Sequence, residues 1–214
     1  ETDTFVALNT AYSGDGFYLK VSKGARASQI LRVLYINDSA SIATVNPRNF
    51  IEVEENAELH LIEEQLNKGD KCLTNLVSEK LVKDNGRLVS ATFQHEGENG
   101  FSVNTNQVCL GKNAYYSNTT ITLSGSVVRN NHNVVMAGEN SVSHLYGLFV
   151  TTGQQLVDNH TLMDHQKPNC ESNELYKGVI HDKSTGVFNG KIFVRKDAQK
   201  TNAYQSSKNI LLSD

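Results

Sequence analysis

Apolar and polar residues alternate in short runs along this chain of 214 residues, and long stretches with helical periodicity are scarce. The clearest alternating runs are residues 17–22, 50–54, 58–62, 120–123 and 186–194. Because successive side chains of a β-strand point to opposite faces, each run predicts a strand that is buried on one side. Such runs recur from one end of the chain to the other, without a linker or a break in composition. We therefore expect one all-β domain over residues 1–214.

Corner-forming residues separate these runs, and they leave two architectures open. Gly14-Asp-Gly16 and Gly138-Glu-Asn140 are typical of tight corners, because Asn and Gly tolerate a positive φ. The Asn-rich corners and the presence of only 2 Pro residues favour a parallel β-helix, in which backbone groups pair from rung to rung. An antiparallel β-sandwich is the alternative. Asp84-Asn-Gly86, between two apolar pairs, equally suits an antiparallel hairpin.

One predicted strand is apolar on both faces. In residues 142–150, one face carries Val142, His144, Tyr146, Leu148 and Val150, and the other carries Leu145, Gly147 and Phe149. A strand of this kind is either a central core strand or one whose outer face is covered by another segment or subunit. Residues 142–150 and 186–195 are therefore candidate pairing surfaces.

The composition limits which classes of partner the protein is expected to bind and which cellular compartment it suits. The net charge of −3 and the pI near 6.2 give no basic footprint for nucleic acid or an anionic membrane. No apolar stretch approaches the length of a membrane-spanning helix. Cys72, Cys109 and Cys170 form no CxxC pair, which predicts reduced, mostly buried thiols and a cytoplasmic or equivalent organellar compartment.

The candidate chemistry lies in the polar segment 157–170. As a strand, this segment would place Asp158, His160 and Asp164 on one face and Asn159, Thr161 and His165 on the other. Three interpretations remain open. The two carboxylates would serve as acid and base in a polysaccharide-cleaving enzyme. His160 or His165 together with Cys170 would bind a soft metal such as iron or zinc, and His165 and Cys170 are the candidate ligands. Alternatively, the polar groups only bond the corners of the fold.

Two other polar features have simpler explanations. The acidic run from Glu52 to Glu64 predicts a solvated sheet face rather than a cation site. His132 lies among Asn and Arg residues, which predicts a surface corner. No GxSxG or Walker motif is present, so the chain shows no signature of ATP hydrolysis.

A series of ordered motifs resembles the SufB/SufD family of iron–sulfur cluster assembly proteins, and SufD more closely than SufB. The motifs are Val157-Asp-x-His160-Thr161-x-x-Asp164-His165, Ser172-x-Glu174-Leu-Tyr-Lys-Gly178, Gly186-Val-Phe-Asn-Gly-Lys-Ile192, Ala198-Gln-Lys-Thr-x-Ala203-x-Gln205 and Lys208-Asn-x-Leu-Leu212. Looser agreement reaches back to Thr4-Phe-x-Ala-Leu-Asn9.

The resemblance implies a right-handed parallel β-helix and a non-enzymatic scaffold subunit that pairs with a SufB-like subunit and binds the ATPase SufC. It implies that residues 1–214 form the core domain, with an N-terminal helical region and a C-terminal region outside this chain. An iron–sulfur cluster is expected only in the full complex. A homodimer is a further expectation, and a carbohydrate-active β-helix enzyme using Asp158 and Asp164 is the alternative function.

Overall fold

The computed structural model describes residues 3–38, 42–67 and 71–213, and it consists almost entirely of parallel β-strands. The elements are α1 (Thr4–Tyr12), β1 (Tyr18–Val21), β2 (Leu31–Asn37), β3 (Ala43–Val45), β4 (Arg48–Val53), β5 (Glu58–Asn67), β6 (Cys72–Val82), β7 (Arg87–His95), β8 (Phe101–Leu110), β9 (Tyr115–Ser124), β10 (Val127–Met136), β11 (Val142–Thr151), β12 (Leu156–His165), β13 (Glu171–Ile180), β14 (Thr185–Val194) and β15 (Asn202–Leu211).

The strands form two sheets that face each other across a shared interior. One sheet has the order β1-β4-β6-β8-β10-β12-β14, with β3 also paired to β6, and the other has the order β15-β13-β11-β9-β7-β5-β2. From β4 onward, consecutive strands alternate between the sheets, so each coil of the chain adds one strand to each sheet. Leu156, for example, pairs with Val127 of the preceding coil and Thr185 of the next. The predicted parallel β-helix is confirmed.

The antiparallel alternative is wrong. The strands β6 and β7 flank Asp84-Asn-Gly86, but they belong to different sheets and do not pair with each other. Each pairs instead with a strand of the neighbouring coil, in parallel register. The corner therefore carries the chain from one sheet to the other, where a hairpin would have folded it back within one sheet.

The interior is divided into an apolar half and a polar half. The apolar half lies where the first sheet's strands end and the second sheet's strands begin, and it includes Leu59, Val82, Leu110, Tyr116 and Met136. Burial of this continuous column from coil to coil is the main favourable contribution to folding. The opposite half is lined by amide, hydroxyl and charged side chains that are also buried, and these groups need partners inside the protein.

The corners between the sheets are stacked by an asparagine ladder. Asn56, Asn85, Asn113, Asn140 and Asn169 all have φ between 54° and 61°, a region in which Asn is favoured over most other residues. The side chains bond along the stack, because Asn113 Nδ2 donates to Asn85 Oδ1 (2.9 Å) and Asn140 Nδ2 donates to Asn113 Oδ1 (3.2 Å). The corners therefore help to hold successive coils in register.

The helix α1 was not predicted from the alternation pattern. Asp3 caps it by accepting a hydrogen bond from the Phe5 backbone N–H (2.8 Å). Asn9 is fully buried and its Nδ2 donates to the carbonyl oxygens of Pro47 (2.9 Å) and Asn75 (2.8 Å). These bonds attach α1 to the first coils. Within the described residues, no helix has the length and apolar character needed to cross a membrane.

Candidate functional site

The segment that carries the candidate chemistry forms β12, as predicted. Asn159, Thr161 and His165 point into the interior, where each is at most 4% exposed. Asp158 and His160 lie on the outer face, with His160 Nε2 placed 2.9 Å from Asp158 Oδ1. The alternation expected from the sequence is therefore confirmed, and it separates the carboxylates from the buried histidine.

The two carboxylates do not form a catalytic pair. Asp158 and Asp164 are six residues apart on one strand, which separates them by about 20 Å. Glycoside hydrolysis by two carboxylates needs a separation of about 5–10 Å. Arg129 Nη1 lies 3.0 Å from Asp158 Oδ2, and Arg195 Nε lies 2.9 Å from Asp164 Oδ1. The hydrogen bond from Arg195 lowers the pKa of Asp164, so this carboxyl is a poor general acid.

The two candidate metal ligands, His165 and Cys170, are both buried at the corner between β12 and β13. His165 Nε2 lies 3.0 Å from Ser172 Oγ, and burial lowers the pKa of the imidazole, which keeps it neutral. The Cys170 thiol faces the carbonyl oxygens of Lys167 (3.2 Å) and Gly138 (3.4 Å). Among the described residues, no group of three or more His, Cys, Asp or Glu side chains is placed to hold a metal ion. Ligation by His165 and Cys170 stays a prediction.

Two polar residues that were expected at the surface are buried. His132 points inward from β10, is 3% exposed and shares a hydrogen bond of 2.8 Å with the Tyr116 hydroxyl. The surface prediction for His132 is wrong because its polar neighbours do not mark a surface. Asn130 lies on the same inner face of β10, where it bonds to Gln94 and Asn159. Glu63 belongs to the acidic run but lies inside, where Lys80 Nζ donates to its Oε2 at 2.6 Å. The other glutamates of that run, such as Glu52 and Glu54, face outward.

The outer face of the second sheet carries an apolar patch, which we define as Ile121, Leu148, Val150, Val179 and Ile210. The patch is continuous from β9 to β15, because Leu148 pairs with Ile121, Val150 with Val179 and Val179 with Ile210. Leu148 is 38% exposed, Val150 is 39% exposed and Ile210 is 61% exposed. The outer face of residues 142–150 is thus not covered by any described part of this chain.

The second predicted pairing surface, residues 186–195, is also partly apolar. Val187 and Phe193 point outward from β14 and remain exposed. The Arg195 guanidinium lies 4.3 Å from the centre of the Phe193 ring, while its Nε contacts Asp164. Charged side chains therefore border this surface, as Lys177 and Lys208, which are in register with Leu148, border the apolar patch.

A family model described as SUF system FeS cluster assembly, SufBD core domain, matches residues 35–214. The chain belongs to this SufBD core-domain family. It is 25% identical over 222 residues to an iron–sulfur cluster assembly SufBD family protein of Synechocystis, covering 99% of this chain and 49% of that relative. It is 25% identical over 216 residues to the iron–sulfur cluster assembly protein SufD of Escherichia coli, covering 99% and 51%. The chloroplastic protein ABCI7 of Arabidopsis thaliana is 26% identical over 221 residues, covering 98% and 46%.

The SufBD core domain described here spans about half the length of these curated relatives. The family resemblance seen in the motifs is confirmed. The motif residues have several structural roles, because Asp158 and Asp164 form ion pairs with Arg129 and Arg195, while Glu174 and His165 point into the interior.

The interior polar network of this SufBD core domain was missed by the sequence analysis. Gln65 Nε2 donates to Asn104 Oδ1 (2.8 Å) across the interior, and Gln94 Nε2 donates to Asn130 Oδ1 (2.7 Å) in the same way. Asn130 Nδ2 then donates to Asn159 Oδ1 of the next coil (3.0 Å). The signal was weak because polar residues occupy both faces of these strands, so alternation of apolar and polar residues does not reveal the inner face.

Proposed function

We propose that this chain is the core of a scaffold subunit in an iron–sulfur cluster assembly complex. In this proposal the subunit pairs with a SufB-like subunit, binds a SufC-like ATPase and performs no turnover of its own. The observation that carries the proposal is the family match over residues 35–214. The relative named iron–sulfur cluster assembly protein SufD adds support, because it aligns with 99% of this chain.

The geometry supports a docking role more than a catalytic one. The carboxylates of the alternative carbohydrate enzyme are ion-paired and about 20 Å apart, which removes the basis for that function. The apolar patch, in contrast, places five aliphatic side chains on the outer face of the second sheet, and Leu148, Val150 and Ile210 among them are exposed. Exposed apolar surface of this kind is typical of protein interfaces. We therefore propose the patch as the surface that contacts the SufB-like subunit.

In the proposed complex, the iron–sulfur cluster is the cargo under assembly. The prediction that His165 and Cys170 bind it is tested by anaerobic reconstitution of the complex with iron and sulfide. If Cys170 is a ligand, Cys170→Ser abolishes the visible charge-transfer band. If the band persists in this variant, Cys170 is not a required ligand. Cys109→Ser serves as the matched control, because Cys109 lies on the outer side of β8.

The expected compartment follows from the same proposal. Three cysteines that are free and at least partly buried suit a reducing environment. One relative is named chloroplastic, so an organellar stroma fits as well as the cytoplasm.

Co-purification tests the scaffold proposal. The full-length protein is expressed with tagged SufB-like and SufC-like subunits, alone and together. A stable complex containing all three supports the proposal. A failure to associate in every combination contradicts it. A homodimer that forms in place of the complex, and gives no charge-transfer band on reconstitution, favours the alternative of a structural dimer without a cluster.

A further inference from the structure

Two lysines lie beside the apolar patch on the outer face of the second sheet. Lys177 on β13 is in register with Leu148 of the patch on one side and with Lys208 on β15 on the other. Both lysines are exposed. Two residues further along the same face of each strand lie Val179 and Ile210, which also belong to the patch. A surface that covers the patch therefore meets both lysines.

The three described strands of this region supply no carboxylate close to the two lysines. On β11, β13 and β15, Glu171 is the only outward-facing carboxylate, and it is six residues from Lys177, or about 20 Å away. Glu171 Oε1 lies instead 3.9 Å from His144 Nε2. Neighbouring strands are about 5 Å apart, and like charges directly opposite each other on a sheet are destabilising. Lys177 and Lys208 thus place an unbalanced positive charge beside aliphatic side chains.

Docking of a partner on the patch changes the environment of these lysines. An ammonium group that loses its water at an interface needs an opposite charge, because burial of an unpaired charge is strongly unfavourable. A second copy of this chain, docked through the same patch about a two-fold axis, would bring the lysines of both copies into one interface. A different partner with an acidic contact surface avoids this repulsion.

We propose that the SufB-like subunit presents a carboxylate side chain to Lys177 and Lys208 within an otherwise apolar contact surface, which rests on the docking role proposed for that subunit. Hydrogen bonds between an ammonium group and a carboxylate are shorter and stronger than those between neutral groups. Charge complementarity of this kind gives an interface its specificity and its register. The lysines therefore fix where the partner sits on a patch whose aliphatic side chains alone would select it poorly.

The affinity of the full-length protein for the SufB-like subunit tests this pairing through the direction of one change. Lys177→Met removes the charge and keeps an unbranched apolar side chain. If the partner presents a carboxylate, Lys177→Met leaves it unpaired, and binding is expected to weaken by at least about tenfold. If the partner surface is neutral, Lys177→Met removes an unpaired buried charge and binding becomes tighter. A tighter or unchanged affinity would overturn the proposal.

Two control variants separate a paired charge from general effects of net charge. Lys177→Arg keeps the positive charge and is expected to bind more tightly than Lys177→Met. Lys191→Met removes the same charge from an exposed position on the opposite sheet, and it is expected to leave the affinity unchanged. An equal loss of affinity in Lys191→Met and Lys177→Met would assign the effect to net charge and overturn the pairing.

Carbodiimide cross-linking of the complex locates the carboxylate. The reagent activates a carboxyl group, and a lysine amine in contact with that group displaces the activating group as a urea and forms an amide bond. Mass spectrometry is expected to identify peptides in which Lys177 or Lys208 is joined to an Asp or Glu of the SufB-like subunit. Cross-links from these lysines only to carboxylates of their own polypeptide would show that the partner does not supply the counter-charge.

A failure of docking and a failure of the charge pairing give different results. If the unmodified protein does not bind the SufB-like subunit, the scaffold proposal and the pairing are both wrong. If it binds, and Val150→Glu weakens binding while Lys177→Met does not, docking through the patch stands and only the carboxylate pairing is wrong.

Discussion

Lys80 and Glu63 form a buried ion pair in the interior, and the stability of the fold depends on both charges. The Lys80 side chain is fully buried and that of Glu63 is 3% exposed, and the Tyr35 hydroxyl adds a second hydrogen bond to Glu63 (3.2 Å). Such a pair is tolerable only because each charge has its partner, since a lone charge in the interior would lose its hydration without compensation. The pair is therefore sensitive to the loss of either member.

Removal of one partner is expected to destabilise the fold strongly. Lys80→Ala leaves the Glu63 carboxylate buried without its cation, and we expect a loss of about 3–5 kcal/mol in the free energy of unfolding. Urea denaturation measures this loss. The double variant Lys80→Met, Glu63→Met removes both charges and is expected to be more stable than Lys80→Ala. If the double variant is the less stable of the two, the uncompensated charge is not the cause.

His132 is expected to link stability to pH. Burial, with a smaller contribution from the Lys80 charge, lowers the pKa of His132 to about 3. The unfolded chain, with an ordinary histidine pKa of about 6.5, binds the proton first. The contribution of His132 to stability is therefore intact above about pH 6.5 and falls by about 1.4 kcal/mol per pH unit as the pH decreases towards 3.

The variant His132→Asn isolates this contribution. The slope of unfolding free energy against pH, measured between about pH 6.5 and 4.5, is expected to be smaller in His132→Asn than in the unmodified protein. His181→Asn, at an exposed corner, is the control and is expected to retain the original slope. Identical slopes in all three proteins would show that His132 is not buried as a neutral side chain.

At the scale of the element, the corners between strands have residue requirements as specific as those of the strands. Asn113 combines a φ of 54° with a side chain that bonds to both neighbouring coils. Glycine would satisfy the first requirement but not the second, and alanine satisfies neither.

This distinction gives an ordered prediction for one position. Asn113→Ala is expected to lower the free energy of unfolding by about 2–3 kcal/mol, from the lost hydrogen bonds and the strained φ. Asn113→Gly retains the backbone conformation and is expected to lose less than Asn113→Ala. Thermal or urea unfolding ranks the variants. An alanine variant as stable as the glycine variant would contradict the role of the positive φ.

Strands were easier to predict from the sequence than their limits or their inner faces. The runs 58–62 and 120–123 lie within strands of 10 residues, because polar side chains such as Gln65 continue inward where an alternation pattern ends. The helix α1 was missed because it is short and is held by Asn9 through bonds to distant coils. Contacts of this kind depend on the tertiary fold and leave no local periodicity.

At the scale of the whole molecule, the sequence predicted the all-β class but left the architecture open until the family motifs were considered. The coil length varies: Phe101 pairs with Val127, 26 residues later, whereas Tyr18 pairs with Phe50, 32 residues later. This variation hides the repeat from pattern analysis. The candidate site was only partly predictable. Which side chains from different coils lie close together depends on the pairing register of the strands, and one sequence does not reveal that register.

The proposed function depends on the fold through the apolar patch. It extends over neighbouring coils on the second sheet, so it exists only because the stack holds β9 to β15 in register. A rigid face assembled in this way suits a scaffold, since its shape is fixed before the partner arrives.

The most direct test is the affinity of the full-length protein for a SufB-like subunit after Val150→Glu, since Val150 has the apolar residue Val179 as its register partner. Burial of an unpaired carboxylate in an apolar interface is expected to weaken binding by at least about tenfold. Phe101→Glu adds the same charge at a residue of similar exposure on the opposite sheet, and it is expected to leave the affinity unchanged. An unchanged affinity in folded Val150→Glu, or an equal loss in both variants, would contradict docking through the patch.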